Sequence, residues 1–179
     1  MTTKIIIAGF GGQGIILTGK LLAYSAMREG KEVTHFPSYG AEVRGGTCNC
    51  SVIISDKAIA SPVVSEPDVA LVFNQPSKNK FESKCKGDSK IILNKSLIDN
   101  KVARNDLESF YVDATNIADS LGNTRATNMV MLGAFIKATN LVRLETMIDA
   151  LNDVISSRNR NKALIEINAK ALKAGYDSL

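Results

Sequence analysis

The sequence predicts an α/β fold, in which a Rossmann-like, doubly wound and mostly parallel sheet is followed by a helical C-terminal segment. Short apolar segments alternate with helical patterns up to residue 112, a glycine-rich turn follows the first apolar segment, and only helical patterns come later. The chain has 179 residues, a length that suits a single domain spanning residues 1–179.

The first elements are expected to form a βαβ unit. Residues 4–8 are short, apolar and β-branched, which is typical of a buried central strand. Residues 15–29 have apolar side chains near helical spacing with Gly30 as a stop signal, and residues 32–36 resemble a second strand. We expect a right-handed crossover between the two strands, followed by a loop over residues 37–47.

The rest of the chain continues with strands and then ends in helices. Residues 47–55 alternate in polarity, with Cys48 and Cys50 on one face, and are expected to form a strand. Further strands are predicted at residues 69–73, 90–93 and 110–112, and helices at residues 126–139, 144–155 and 164–174. The first of these three helices is apolar on nearly all sides and should be buried, whereas the second is amphipathic.

Composition excludes several classes of protein. Hydrophobic residues make up 45% and charged residues 22%, which argues against disorder, collagen and coiled coil. The net charge of +4 is small and spread along the chain, and tryptophan is absent, so no nucleic-acid partner is indicated. No apolar run reaches membrane-spanning length and the N-terminal run is too short for a signal peptide, so we expect a cytoplasmic protein without membrane attachment.

Residues 9–14 form a segment that we call the glycine turn. Gly9, Gly11 and Gly14 match the pattern G-x-G-x-x-G, directly after a predicted strand and before a predicted helix. In that pattern the first glycine allows a tight turn, the second lets backbone approach a phosphate, and the third lets helix and strand pack closely. Gly12 adds conformational freedom, and the side chain of Gln13 offers an amide donor.

The glycine turn has three open interpretations. It is an anion or phosphate site at a helix N-terminus, a turn that serves packing or a subunit contact, or a site for NAD or FAD. The last of these requires an acidic residue at the end of the second strand, where this sequence has Thr34, His35 and Phe36.

Residues 38–47 form a second unusual segment, the polar loop. We expect it at the C-terminal edge of the sheet beside the glycine turn, where open α/β sheets bind their ligands. Tyr39 offers an aromatic face, and Glu42 and Arg44 offer opposite charges, of which Arg44 suits a phosphate or carboxylate. The alternative is a solvated loop with an incidental ion pair.

Three further features are interpreted as structural. His35 stands alone at a strand end, Cys85 is expected to be a surface thiol, and the lysine-rich residues 78–90 are expected to form a solvated face. The three cysteines are too few for a four-thiolate iron–sulfur cluster and lack a second ligand pair for zinc.

Together, residues 9–14 and residues 38–47 resemble the gamma subunit of 2-oxoacid:ferredoxin (acceptor) oxidoreductases. The polar loop is most similar to that of the 2-oxoglutarate-type members. Residues 128–134 and 166–171 are similar to the family's C-terminal helices, so the resemblance covers nearly the whole chain.

The resemblance implies an accessory subunit of a multisubunit enzyme that oxidatively decarboxylates a 2-oxoacid, here 2-oxoglutarate, to acyl-CoA and CO2. Electrons pass to ferredoxin or another acceptor. Thiamine diphosphate, magnesium and iron–sulfur clusters are expected on companion alpha, beta and delta (ferredoxin-like) subunits, so the chain would be inactive alone, without catalytic or metal-binding residues of its own, and part of a hetero-oligomer.

The resemblance also assigns residues to two roles. Contacts with a bound anion or with coenzyme A are implied for Gly9, Gly11, Gly12, Gln13, Gly14 and Arg44. Contacts with a partner subunit are implied for Ser38, Tyr39, Glu42, Arg44, Gly45 and Gly46. The residues themselves leave two alternatives open, which are a free-standing dinucleotide-binding oxidoreductase and a non-enzymatic module that binds coenzyme A or a nucleotide.

Overall fold

Six strands form one mixed sheet in the computed structural model, which describes residues 1–40, 46–156 and 162–179. The strands are β1 (Thr2–Phe10), β2 (Glu32–Tyr39), β3 (Thr47–Ser55), β4 (Val69–Val72), β5 (Lys90–Asn94) and β6 (Glu108–Val112). Their order in the sheet is β2-β3-β1-β4-β5-β6. The strands β1, β4, β5 and β6 pair in parallel, and β3 is antiparallel to both of its neighbours.

Six α-helices accompany the strands in the described residues. They are α1 (Ile15–Arg28), α2 (Gln75–Phe81), α3 (Ala114–Ser120), α4 (Thr127–Thr139), α5 (Leu144–Ser156) and α6 (Lys162–Asp177). The α/β class and the C-terminal group of helices are confirmed. The short helices α2 and α3 were not predicted, because seven residues carry too little periodicity to be recognised.

The position of β3 corrects the expected βαβ unit. The strands β1 and β2 do run in the same direction, but β3 lies between them and pairs with each over eight or nine residues. Strand β2 also extends to Tyr39 through Pro37, where a loop was expected. Pro37 has no N–H to donate to a neighbouring strand. It is tolerated because β2 is an edge strand of the described sheet and has a neighbour on one side only.

The main core lies between the sheet and the long helices. Side chains from one face of the sheet, among them Ile5, Ile7, Val52 and Leu71, pack against α1 and α4, and α5 packs on α1. Helix α4 is buried over nine consecutive residues, as the sequence predicted, because α6 covers the side that faces away from the sheet.

Two glycines set the distance between α4 and α6. A Cβ atom on Gly133 would lie 2.0 Å from the carbonyl oxygen of Leu172, and a Cβ atom on Gly175 would lie 1.9 Å from that of Val130. Because any side chain at either position would overlap the facing backbone, these helices pack at closer range than side chains would allow.

The opposite face of the sheet has a thinner cover, built from α2 and the segments that connect the strands. One cluster contains Ala70, Val72, Ile91, Leu93 and Cys85, and a smaller one contains Ile6, Ala8 and Phe81. Cys85 is therefore buried, and the expectation of a surface thiol is wrong. Burial raises the pKa of this thiol to about 11.

Lys78 corrects the expectation of a wholly solvated lysine-rich face. Its side chain is buried, and its ammonium group lies 2.7 Å from the carboxylate of Glu82. That carboxylate also accepts hydrogen bonds from the backbone N–H groups of Ala103 (2.5 Å) and Arg104 (3.2 Å). Lys80, Lys84 and Lys86 are exposed, as expected.

Candidate functional site

The glycine turn connects β1 to α1 and is closed by Gln13. The backbone N–H of Gln13 donates to the carbonyl of Phe10 (3.1 Å), and the Oε1 atom of Gln13 accepts from the backbone N–H of Phe10 (2.7 Å). Gly12 and Gly14 have φ angles of +102° and +77°, which favour glycine. The turn therefore has a defined shape before any ligand binds.

The structure changes the roles assigned to two of the glycines. Gly9 belongs to β1 and makes no turn; its lack of a side chain leaves room for Gln13, Ile15 and Phe73, which would lie within 3.0 Å of a Cβ atom. Gly14 makes its close approach to α4 instead of a strand, because a Cβ atom there would lie 2.4 Å from the Nδ2 atom of Asn128.

The glycine turn and the polar loop adjoin each other, as the sequence predicted. The backbone N–H of Gly11 donates to the carbonyl of Gly46 at 2.9 Å, and Phe10 is the register partner of Thr47. Both segments lie at the C-terminal end of β1. Glu42, Arg44 and Gly45 lie outside the described residues, so their assigned roles stay predictions.

A cleft of about 540 Å3, the glycine cleft, opens between the two segments. The glycine turn forms one part of its lining, and the side chains around it are Phe10, Ile15, Ile16, Leu17, Tyr39 and Cys48. Tyr39 is 67% exposed, and Ser38 belongs to the opposite face of β2 because side chains alternate along a strand. Of these two residues, only Tyr39 reaches the cleft.

The start of α1 gives the glycine cleft a preference for anions. Helix α1 has 14 residues, no side chain caps its N-terminus, and its first turn contains no acidic residue. The free N–H groups and the helix dipole there favour a negatively charged group. The cleft thus combines a site for an anion with apolar walls and one aromatic face.

Among the described residues, the lining of the glycine cleft contains no carboxylate and no imidazole. Burial raises the pKa of the Cys48 thiol. Within the described part of the chain, no three His, Cys, Asp or Glu side chains group together in a way that could hold a metal ion.

His35 lies on the edge strand β2, and its ring packs against α1. Its Nε2 atom is buried without a hydrogen-bond partner in the described residues, close to Gly19. Burial, together with the positive charge of Lys20, lowers the pKa of this imidazole, so it is neutral at pH 7. This environment agrees with the structural interpretation of His35.

Asn74 is a part of the site that the sequence analysis missed. Its Nδ2 atom donates to Oε1 of Gln13 (3.0 Å), and its Oδ1 atom accepts from the backbone N–H of Ser77 (2.9 Å) at the start of α2. The buried Asn74 therefore joins the glycine turn to the end of β4 and to α2. An asparagine after a strand and followed by Pro76 near the helix start was the signal for this cap.

The sheet order disfavours a dinucleotide in the glycine cleft. A NAD-binding domain places an acidic residue at the end of the strand beside β1. Here the neighbour of β1 on that side is the antiparallel β3, so the end of β2 lies about 10 Å away, two strand spacings, and carries no acidic residue among residues 34–39.

Comparison with known proteins identifies relatives of this chain. The chain is 38% identical over 175 residues to the ketoisovalerate oxidoreductase subunit VorA of Methanothermobacter marburgensis, covering 97% of this chain but 36% of VorA. It is 33% identical over 180 residues to the 2-oxoglutarate synthase subunit KorC of Methanocaldococcus jannaschii, covering 99% of this chain and 94% of KorC. The chain thus spans about a third of the first relative and nearly all of the second.

A solved structure has the same fold. The gamma subunit of a keto/oxoacid ferredoxin oxidoreductase from Geobacter sulfurreducens matches with a TM-score of 0.82 and 29% identity, over 98% of this chain and 97% of that subunit. The family model described as pyruvate ferredoxin/flavodoxin oxidoreductase matches residues 4–178. The family resemblance is therefore confirmed, and the chain belongs to the pyruvate ferredoxin/flavodoxin oxidoreductase family.

Proposed function

We propose that this chain is the gamma, accessory subunit of a multisubunit oxidoreductase that decarboxylates 2-oxoglutarate and transfers the acyl group to coenzyme A. Family membership, together with a KorC relative of nearly the same length, supports the subunit role. The similarity of the polar loop to 2-oxoglutarate-type members supports the substrate. Companion alpha, beta and delta subunits supply thiamine diphosphate, magnesium and iron–sulfur clusters.

The lining of the glycine cleft is the observation that carries this proposal. Backbone N–H groups at a helix start, apolar walls and an exposed tyrosine suit a ligand with both a phosphate and an apolar portion, and coenzyme A has both. Among the described residues, the same lining contains no carboxylate and no imidazole. We therefore assign binding and docking to this chain and the chemistry to its companions.

A branched-chain 2-oxoacid is the second candidate substrate. The observation that favours it is the 38% identity to VorA, a subunit of a ketoisovalerate oxidoreductase. The two candidates share the same role for this chain and differ only in the acid that the companion subunits accept.

Reconstitution tests the proposed role. The chain is co-expressed with its companion subunits, and viologen reduction with coenzyme A is measured with 2-oxoglutarate, ketoisovalerate or pyruvate. We expect the highest kcat/KM with 2-oxoglutarate, no activity from the chain alone, and a large loss when the chain is omitted. Activity of the purified single chain contradicts the accessory role, and a preference for ketoisovalerate replaces the proposed substrate.

The reconstituted enzyme also tests the coenzyme. Tyr39→Ala removes the aromatic face of the glycine cleft and should raise the KM for coenzyme A about fivefold or more, since one stacking contact contributes about 1–3 kcal/mol. The matched control is Phe36→Ala, which truncates an exposed aromatic residue on the opposite face of β2. Equal effects of the two substitutions count against coenzyme A in this cleft.

A further inference from the structure

A second cavity, of about 410 Å3, lies on the sheet face opposite the long helices. Ile6, Phe81 and Cys85 line its apolar part, and Glu66 and Lys84 are the charged residues of its rim. Ile6 and Phe81 belong to the small cluster on that face, where only α2 and connecting segments cover the sheet. The cavity is therefore separate from the glycine cleft, which lies at the C-terminal end of β1.

Two lysines surround the aromatic ring in this cavity. The ammonium groups of Lys80 and Lys84 lie 5.3 and 5.8 Å from the ring centroid of Phe81. Both side chains are exposed, and neither has a carboxylate within 4 Å in the described part of the chain. We call Lys80, Phe81 and Lys84 with the adjoining cavity the lysine surface.

Two lysines that flank this pair in the sequence do have carboxylate partners. Lys78 is buried against Glu82 at 2.7 Å, and Lys86 lies 3.7 Å from Asp68. Lys78 and Lys86 thus each have a carboxylate nearby, whereas the charged contact described for Lys80 and Lys84 is with the ring of Phe81. Two like charges near one ring repel each other, and a carboxylate placed between them would relieve that repulsion.

The cavity and the charges together define the occupant. A volume of about 410 Å3 falls in the usual range of ligand pockets, about 300–1,000 Å3, and accommodates a large apolar side chain. Lys80 and Lys84 are exposed beside the cavity. They are therefore placed to contact acidic residues of a polypeptide that continues across the surface, and not a small molecule enclosed by the cavity. The carboxylate of Glu66 on the rim would repel acidic residues of the occupant on that side of the cavity.

We propose that the lysine surface binds an acidic segment of another protein chain, which inserts an aromatic or aliphatic side chain into the cavity and directs carboxylates to Lys80 and Lys84. The apolar side chain loses contact with water beside Ile6 and Phe81. The carboxylates pair with two ammonium groups that have no acidic partner among the described residues. The binding mode uses no residue of the glycine cleft and does not depend on the proposed coenzyme.

Titration with defined peptides tests this proposal. The full chain is titrated at low salt with acetylated, amidated Glu-Glu-Phe-Glu-Glu, and with Gln-Gln-Phe-Gln-Gln and Glu-Glu-Gly-Glu-Glu, by NMR chemical-shift mapping. We expect the first peptide to bind more tightly than either control, with shifts at Ile6, Phe81 and Cys85. Absence of binding at millimolar peptide, or equal binding of all three, overturns the proposal.

Substitutions on the chain separate local from net charge. The K80Q/K84Q double variant should weaken binding about fivefold or more, and E66Q should strengthen it, since each charge acts on the peptide at short range. The control K101Q/K173Q removes the same net charge at exposed lysines elsewhere and should leave affinity within about twofold. Equal losses in the two double variants, or weaker binding by E66Q, contradict the proposed site.

Discussion

Gly12 and Gly14 share a backbone requirement but differ in their surroundings. Both have positive φ, yet nothing lies within 4 Å of a Cβ atom on Gly12, whereas a Cβ atom on Gly14 would meet Asn128 at 2.4 Å. Asn128 is 5% exposed at the start of α4. The pattern G-x-G-x-x-G predicts the start of the helix and the last of its glycines. It does not reveal the contact with Asn128, which lies more than a hundred residues later in the sequence.

This difference predicts unequal effects of alanine at the two sites. Gly12→Ala should lower the free energy of unfolding by about 1 kcal/mol, the penalty for a side chain at positive φ. Gly14→Ala adds the overlap with Asn128 and should cost about 1–2 kcal/mol more. Urea denaturation measures both, and Asn128→Ala in the Gly14→Ala background should recover the additional loss. Equal losses at Gly12 and Gly14 would show that Asn128 adjusts freely.

The structure shows a role of Gln13 in the fold that the sequence did not predict. The sequence suggested Gln13 as an amide donor to an anion. In the structure its Oε1 atom accepts from the N–H of Phe10 and from Asn74, so this atom holds the turn and links it to β4. The glycine turn gains its shape from Gln13, and the backbone N–H groups of α1 remain for a ligand.

At the scale of elements, Glu82 links α2 to the segment between β5 and β6. Its carboxylate accepts from Lys78 at the end of α2 and from the N–H groups of Ala103 and Arg104. Burial alone would raise the pKa of Glu82, but these hydrogen bonds and the positive charge of Lys78 outweigh it and lower the pKa below its usual value of 4.5. The folded state therefore prefers the ionised form.

The direction of that shift predicts how Glu82→Gln depends on pH. The contribution of Glu82 is fully present above its unfolded pKa, near 4.5, and is lost as pH falls through the lower folded pKa. At pH 7 the substitution should cost about 2–3 kcal/mol, because it leaves the ammonium group of Lys78 buried without its charge partner.

Urea denaturation at pH 7 and pH 3 measures this dependence. The difference between the original chain and Glu82→Gln should shrink at pH 3. The control is Glu108→Gln, which removes an exposed partner of Lys90 and should change the free energy of unfolding by about 0.5 kcal/mol or less. A cost for Glu82→Gln that is the same at both pH values rules out a stabilising ionised carboxylate.

The insertion of β3 is the element that sequence reasoning placed incorrectly. Its alternating pattern and its bounds, Thr47–Ser55, agree with the prediction, and Cys48 and Cys50 face the core together. Alternation is the same in parallel and antiparallel strands, however, and does not say which strand is the neighbour. The short connection after β2 favours an antiparallel return, and this return separates β2 from β1.

Across the whole molecule, the sheet separates three regions with different properties. The long helices cover one face and form the main core, the glycine cleft lies at the C-terminal end of β1, and the lysine surface lies on the thinly covered face. In the described residues no helix has the length and apolar character needed to cross a bilayer. The proposed coenzyme site and the proposed site for an acidic segment therefore lie on separate surfaces.

Several features of the molecule followed from the sequence by itself. The apolar runs of the strands and of α4, the periodicity of α1 and α5, and the glycine turn between β1 and α1 all depend on residues close together in the chain. The family, too, followed from two short segments at a particular spacing. These features arise from residues that are close together in the sequence, so local patterns are sufficient to predict them.

Only the tertiary structure decided the strand order, the burial of Lys78 and Cys85, and the contacts of Asn74 and Asn128 with the glycine turn. Each depends on residues that are distant in sequence, and a lysine or cysteine has the same local pattern whether it is buried or exposed. Which side chains are buried and which strands pair depends on the surfaces that come into contact as the sheet forms. The fold is selected by the summed free energy of all these contacts, and local sequence patterns do not contain that sum.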